Sequence, residues 1–517
     1  MQTVATVPSS SASGPSAAVK PRIGLTACVA FGVGTTVGGG VFTLSGTAIN
    51  LAGPAAVLSY VIAGIVMALC AMCFIVVSTR AKDGESGYGP VGDILSPFWR
   101  FVVMWAFYLN GATIIAYLVD SFGDYLHEYF LPAAGALVLG LAATVLVTAL
   151  NLGPTALVAR AETWIVGIKL ALLVLFAVWG LTELTPEKVD RPLPQGTGGV
   201  FSAAALLFTA YTGFNVITNM AGSVENPRKT VPRAILLTLL VSGIIYLGTA
   251  LAMVASGVTV FTATGVSQAA EIVMGTWGGV LVAFAACLST LSGANANVLG
   301  ASEIMLRMVA RGDVPPALGR QTRTGHPYVS VLLLGAITVL LVLLNDTTFV
   351  VSIANVAAII AMIVVSVAAV VLGVRKWPGQ GAKLPLGPVI PVLAVLAAAS
   401  QLPSLDPAAL ITGFLLLALG GALYLARHYQ RGGAGRRDHA NAQITDLNTP
   451  LMKAARTGAA LPGSGRRYRV RRLPPEAQSV TPFLPTMKIR LNGSTVPQLF
   501  AGYASRSRAP YSVSKAA

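Results

Sequence analysis

Apolar residues in this chain run in long blocks separated by short polar, glycine- and proline-bearing segments. Twelve blocks read as membrane-spanning helices: 24–49, 54–79, 98–122, 133–150, 163–182, 201–221, 231–254, 276–300, 329–344, 349–374, 389–403 and 408–429. The ninth and eleventh are the shortest. Composition supports this reading, with 55% hydrophobic residues, 10% charged residues and a mean hydropathy of +0.73. A soluble domain carries about 25% charged residues, so most of this chain belongs in lipid.

Two of the blocks are interrupted at matching places. The first contains Gly34-Thr35-Thr36-Val37-Gly38-Gly39-Gly40, and the sixth contains Tyr211-Thr212-Gly213-Phe214-Asn215. Each glycine weakens a helix by about 1 kcal/mol relative to alanine, so the first run invites unwinding. Unwound backbone inside a bilayer is tolerated only where it is buried in protein or lines a cavity. Corresponding interruptions in two halves of a membrane protein therefore point to a binding site between them. The competing explanation is that such glycines only let neighbouring helices pack closely. The pairing of the two breaks favours the cavity.

Lysine and arginine divide unevenly between alternate loops. With both termini cytoplasmic, the inside segments before residue 430 carry seventeen basic residues, from Lys20 to Arg427, and the outside loops only Lys188 and Arg191. This asymmetry follows the positive-inside rule and predicts a multi-pass protein of the cytoplasmic (inner) membrane with both ends inside. The net charge of +16 sits mostly in residues 430–517, where twelve Arg and three Lys face Asp438, Asp446 and Glu476. That tail and residues 1–22 are expected to be disordered cytoplasmic segments. A basic tail beside a membrane suits anionic lipid. No aromatic-interleaved module accompanies the charge, so no nucleic-acid partner is expected.

Cysteine and histidine usage points away from metal or redox chemistry. Cys70 and Cys73 share C-x-x-C spacing but lie inside the second block, Cys28 and Cys287 stand alone, and the four histidines do not cluster. Small packing residues account for these cysteines. With no nucleophile–base set, metal cluster or phosphate loop, neither an enzyme nor a cofactor is expected.

Several segments resemble those of the amino acid–polyamine–organocation permeases. Val37-Gly38-Gly39-Gly40-Val41-Phe42 is similar to their G-S-G-I-F signature, and Glu85-Ser86-Gly87-Tyr88-Gly89 to their glycine-aromatic loop. The segment from Tyr211 to Asn215, continued by Glu225-Asn226-Pro227-Arg228-Lys229, resembles their most recognisable stretch. Met308 to Pro315 and Leu384-Pro385-Leu386-Gly387-Pro388 resemble the loop after span eight and the start of span eleven. The likeness runs in order from about Pro21 to Tyr429. It implies an all-α integral membrane fold with two inverted five-helix repeats, about 23–183 and 200–375. Helices 1 and 6 are broken, and helices 11 and 12 (about 385–429) are accessory. The implied task is moving an amino acid or related amine across the membrane by alternating access.

The chemistry of the breaks suits such a substrate. Free N–H groups at Val37, Gly38, Gly39 and Gly40 begin a second half-helix, whose positive pole favours a carboxylate. The resemblance places a serine where Gly39 stands, so backbone amides must carry that contact. The carbonyls of Phe208, Thr209 and Ala210 end another half-helix, whose negative pole suits an ammonium. Tyr211, Gly213 and Asn215 complete the candidate site. Tyr211 and Phe214 either cap the substrate or pack between helices. Asn215 stands where relatives often carry an acid, which favours a neutral amino acid. Asp120 is the best acidic candidate, although its place late in the third block suits the outer interface. Glu303 forms a surface charge cluster with Arg307 and Arg311.

Lys169 is the one basic residue more than two positions inside a block. A mid-membrane lysine costs about 2.5–3.5 kcal/mol on insertion scales, so function is the default reading. The resemblance implies a lysine in the space that sodium occupies in sodium-coupled relatives, which suggests proton coupling. Snorkelling to the inner interface is the alternative. An amino acid–amine exchanger shares every one of these motifs, and a membrane amino-acid sensor signalling through the tail is the reading from another class.

Overall fold

The computed structural model describes residues 24–81, 87–152, 156–190, 194–219, 224–322, 326–375 and 386–429. The basic tail, the N-terminal segment 1–22, and the motif residues Glu85, Ser86, Leu384 and Pro385 lie outside the described residues.

Among the described residues seventeen α-helices follow in chain order: α1 (Leu25–Thr36), α2 (Gly40–Ala52), α3 (Ala56–Ser78), α4 (Gly89–Ile94), α5 (Pro97–Tyr129) and α6 (Ala136–Leu152). Then come α7 (Ala156–Thr182), α8 (Pro186–Val189), α9 (Gly196–Leu207), α10 (Val216–Asn219), α11 (Pro227–Ala255) and α12 (Gly265–Met274). The series ends with α13 (Thr276–Arg311), α14 (Tyr328–Val342), α15 (Thr347–Val374), α16 (Val389–Ala399) and α17 (Pro407–Tyr429). Among the described residues, eight helical stretches are long and apolar enough to cross a membrane, with four shorter apolar helices besides. Leu58, Ile65, Trp164, Ile244, Leu340 and Leu415 are exposed on these helices, as lipid-facing side chains should be.

The breaks differ in extent from the sequence reading. Helix α1 continues through Gly34, Thr35 and Thr36, so only Val37, Gly38 and Gly39 are non-helical. The second break begins earlier than Tyr211, because α9 tightens into a 3₁₀ turn over Phe208–Tyr211 before opening at Thr212. A 3₁₀ turn inside a long helix releases i→i−4 bonds and marks a hinge or site. Two further helices run past their apolar blocks. Helix α5 has 33 residues and α13 has 36, each about 50 Å long at 1.5 Å per residue and longer than the hydrocarbon core.

Helix α5 packs against α13, α15 and α6, and α11 packs against α1, α3 and α7. Small residues set these approaches. A Cβ on Gly123 of α5 would lie 2.4 Å from the Ala136 carbonyl oxygen of α6, closer than any real Cβ contact. The result is a helical core in which both broken elements are enclosed by α3, α5, α11, α13 and α15.

Candidate functional site

Unwinding exposes backbone groups that the bilayer cannot satisfy, and this protein pairs them with side chains from unbroken helices. Asn355 of α15 donates through Nδ2 to the Leu206 carbonyl at 3.1 Å and accepts from the Thr209 amide at 2.8 Å. It thereby bridges the gap in the α9 hydrogen-bond ladder. Thr212 Oγ1 donates to the Thr209 carbonyl at 2.6 Å. The Tyr246 hydroxyl of α11 lies 2.7 Å from the Thr36 carbonyl and 2.8 Å from the Ala210 carbonyl, sharing its hydrogen between one acceptor from each break.

The breaks also touch directly. Gly213 has φ +117°, a conformation that side chains disfavour, and an added Cβ would lie 3.0 Å from the Thr35 carbonyl oxygen. A Cβ on Gly40 would lie 3.2 Å from Ala210 Cα. Glycine at both positions allows the two unwound backbones to face each other.

A cavity of about 80 Å³ lies where they meet, with room for several waters or a small solute. Gly38, Gly39 and Gly40 line it from the first break, and Thr209, Ala210, Gly213 and Asn215 from the second. Helix α5 contributes Phe107, Asn110, Ile114, Tyr117 and Leu118, and α13 contributes Gly293, Ala296, Asn297 and Gly300. No carboxylate, ammonium, guanidinium or imidazole is among the lining residues.

The remaining sequence candidates sit elsewhere. Val37 and Phe208 are fully buried and do not line the cavity. Tyr211 points away from it, donating to the Tyr60 carbonyl at 3.0 Å with its ring edge-on to Tyr246 at 5.0 Å. Phe214 packs edge-on against Phe74 at 5.8 Å. Asp120 accepts a short hydrogen bond from Thr347 of α15 and is absent from the lining. Glu303 is exposed.

Lys169 is fully buried in α7, and its Nζ donates to the Gly34 carbonyl of α1 at 2.8 Å. Gly34 permits this approach, since a Cβ there would sit 2.6 Å from Val166 Cγ2, one turn before the lysine. The ammonium is thus joined to the half-helix that ends at the first break.

Sequence reasoning missed the side chains that complete the wall. Asn215 Nδ2 donates to the Tyr88 hydroxyl at 3.0 Å, and Tyr88 stacks on Phe107 with ring centroids 4.8 Å apart. Burial pushes the Tyr88 hydroxyl up to about 12, partly offset by that Asn215 bond, so it keeps its proton near neutrality. Asn110 and Asn355 are single amides within apolar helices, and Asn297 is one of two in α13. A buried polar residue in such a helix was the available signal.

A family model described as amino acid permease matches residues 23–420. The chain belongs to the amino acid permease family. Over 427 residues this permease is 28% identical to the inner membrane transport protein YbaT of Escherichia coli (strain K12), covering 78% of this chain and 96% of that one. It is 26% identical over 435 residues to the branched-chain amino acid permease BcaP of Bacillus subtilis (strain 168), covering 78% and 92%. With the amino-acid permease RocE of the same organism it shares 27% identity over 404 residues, covering 70% and 84%. The permease is accordingly a multi-pass membrane protein, and its family consists of transporters rather than enzymes.

Proposed function

We propose that this permease is a secondary active transporter that carries a neutral amino acid across the cytoplasmic membrane by proton-coupled alternating access. One observation carries the reading: a single cavity is walled by both helix breaks and contains no charged side chain. The start of α2 presents first-turn amides, which have no acceptor within the helix, toward a substrate carboxylate. The end of α9 presents carbonyl dipoles toward its ammonium. The Ala210 carbonyl already meets Tyr246 and the Thr209 carbonyl already accepts from Thr212, so the neighbouring amide oxygens of Asn110 and Asn215 take more of that role. Phe107, Ile114 and Leu118 leave an apolar wall for the side chain. BcaP, by its name a branched-chain permease, supports that preference.

In this reading twelve spans form two inverted repeats, about 23–183 and 200–375. Spans eleven and twelve (about 385–429) flank them, and both termini face the cytoplasm. Lys169 holds α7 to the first break by a charge-assisted bond, and proton loss weakens it, linking protonation to movement of α1. Uptake of a labelled panel of amino acids into proteoliposomes tests the proposal. Saturable accumulation of neutral amino acids under an inward proton gradient supports it. Accumulation restricted to lysine and arginine, or none of any amino acid, contradicts it.

A further inference from the structure

The break amides are one half of a carboxylate site, and the first break itself supplies no side-chain donor to join them. A hydroxyl-bearing residue at Gly39 would require Leu118 and Thr290 to move. A Cβ there would lie 2.1 Å from Leu118 Cδ2 and 2.8 Å from Thr290 Cγ2. Helix α13 keeps the amide open from its side. Gly293 has no side chain, and a Cβ on it would come 3.5 Å from the Gly39 nitrogen.

Three hydroxyls around the cavity are spent as donors. Thr35 Oγ1 donates to its own helix at Phe31 and Gly32, Thr212 donates to Thr209, and Tyr246 spans the Thr36 and Ala210 carbonyls. Thr36 Oγ1 also has no hydrogen-bond partner, but it is fully enclosed. The Tyr88 oxygen accepts from Asn215 on the wall formed with Phe107 and keeps its own hydrogen to donate. Tyr117 stands beside the first break. It is buried to 3% exposure, lines the cavity, and its hydroxyl has no hydrogen-bond partner among the described residues. That hydroxyl lies 3.9 Å from where a Cβ on Gly40 would stand.

Leu118 and Tyr117 are consecutive on α5. One fills the space a side chain at position 39 would need, and the other brings a phenolic O–H to the neighbouring glycine. We propose that Tyr117 is the side-chain donor to the substrate carboxylate, completing from α5 the amide site at Gly39 and Gly40. This rests on the reading above that the carboxylate sits at the first break. Tyr117 then determines specificity for α-amino acids over the corresponding amines, because an amine has nothing for the phenol to hold. A hydrogen bond to a charged group is among the stronger ones, and its removal weakens binding of that group by about tenfold or more.

Two probe pairs test this in purified protein: L-leucine with isoamylamine, and L-alanine with ethylamine, each pair differing by the carboxylate alone. Binding is read by ligand-induced shift of thermal unfolding, for wild type and Tyr117→Phe. Wild type should prefer the amino acid in at least one pair. Tyr117→Phe should lose about tenfold or more of that preference while its amine affinity and unliganded unfolding temperature stay as in wild type. If wild type discriminates and Tyr117→Phe discriminates equally, the assignment of Tyr117 is overturned and the carboxylate site at the break stands. If wild type shows no preference in either pair, both readings fall together. An equal loss for amine and amino acid makes Tyr117 a packing residue and also overturns the proposal.

Discussion

The Tyr246 hydroxyl lies 2.8 Å from the carbonyl oxygen of Ala210, a group that the 3₁₀ turn leaves without a helical donor. The same hydroxyl donates to the Thr36 carbonyl at the end of α1. One phenol on an unbroken helix therefore ties both breaks together. Tyr246→Phe removes the donor but keeps the ring, leaving two buried acceptors short of a partner. Such a loss is about 1–3 kcal/mol in soluble proteins, and membrane measurements centre lower, near 0.6. A lower unfolding temperature with a reduced maximal uptake rate is expected. An unchanged unfolding temperature in a detergent thermal scan would show that the tie contributes nothing.

Lys169 is held at Gly34, three residues before the first break. If this contact couples protonation to transport, Lys169→Ala should lower gradient-driven accumulation by at least tenfold and leave exchange of preloaded substrate measurable. The check is uptake into proteoliposomes with and without an inward proton gradient. Gradient-indifferent uptake in wild type, requiring preloaded amino acid, would make the permease an exchanger and return Lys169 to a structural role.

Gly39→Ser places a side chain against Leu118 and Thr290, where the available distances are 2.1 and 2.8 Å. Overpacking of this kind costs about 1–3 kcal/mol. Uptake below a tenth of wild type, together with a lower unfolding temperature, is the expected result. Normal uptake by the serine variant would mean that Leu118 yields easily and that the glycine is not required by packing.

The position of both breaks was legible because glycine clustering has a direct backbone consequence, and Gly38, Gly39, Gly40 and Gly213 do meet at one cavity. Their extent was less legible. Thr35 and Thr36 remain helical, since Tyr246 and the close contact with Gly213 stabilise that turn from outside the segment. Tyr211 shows a second limit. An aromatic residue beside a break reads equally as gate or as packing, and only the position of Tyr60, 151 residues away in sequence, decides where its hydroxyl goes. Asn355 and Asn110 were invisible for the same reason. A lone amide in an apolar helix advertises a buried partner but does not say which one.

Charge at the cavity wall offers a specificity test. Asn215→Asp puts a carboxylate into a lining that otherwise has none, beside the Tyr88 hydroxyl. Burying an unpaired charge is unfavourable, whereas pairing it with a cationic substrate relieves the penalty. Competition against uptake should shift, with neutral amino acids weakened about tenfold and lysine or arginine strengthened. A variant with the wild-type competition profile would place position 215 away from the substrate side chain.

The claim that substrate occupies the space between the two breaks is tested most directly at Ala296, a small α13 residue on the cavity wall. The four native cysteines are replaced by alanine, Ala296→Cys is introduced, and the labelling rate by a small methanethiosulfonate is measured with and without L-leucine or L-alanine. Protection of at least fivefold by the amino acid that is transported, at concentrations near its half-saturation for uptake, is the predicted result. Saturable uptake of that amino acid with an unchanged labelling rate would contradict it.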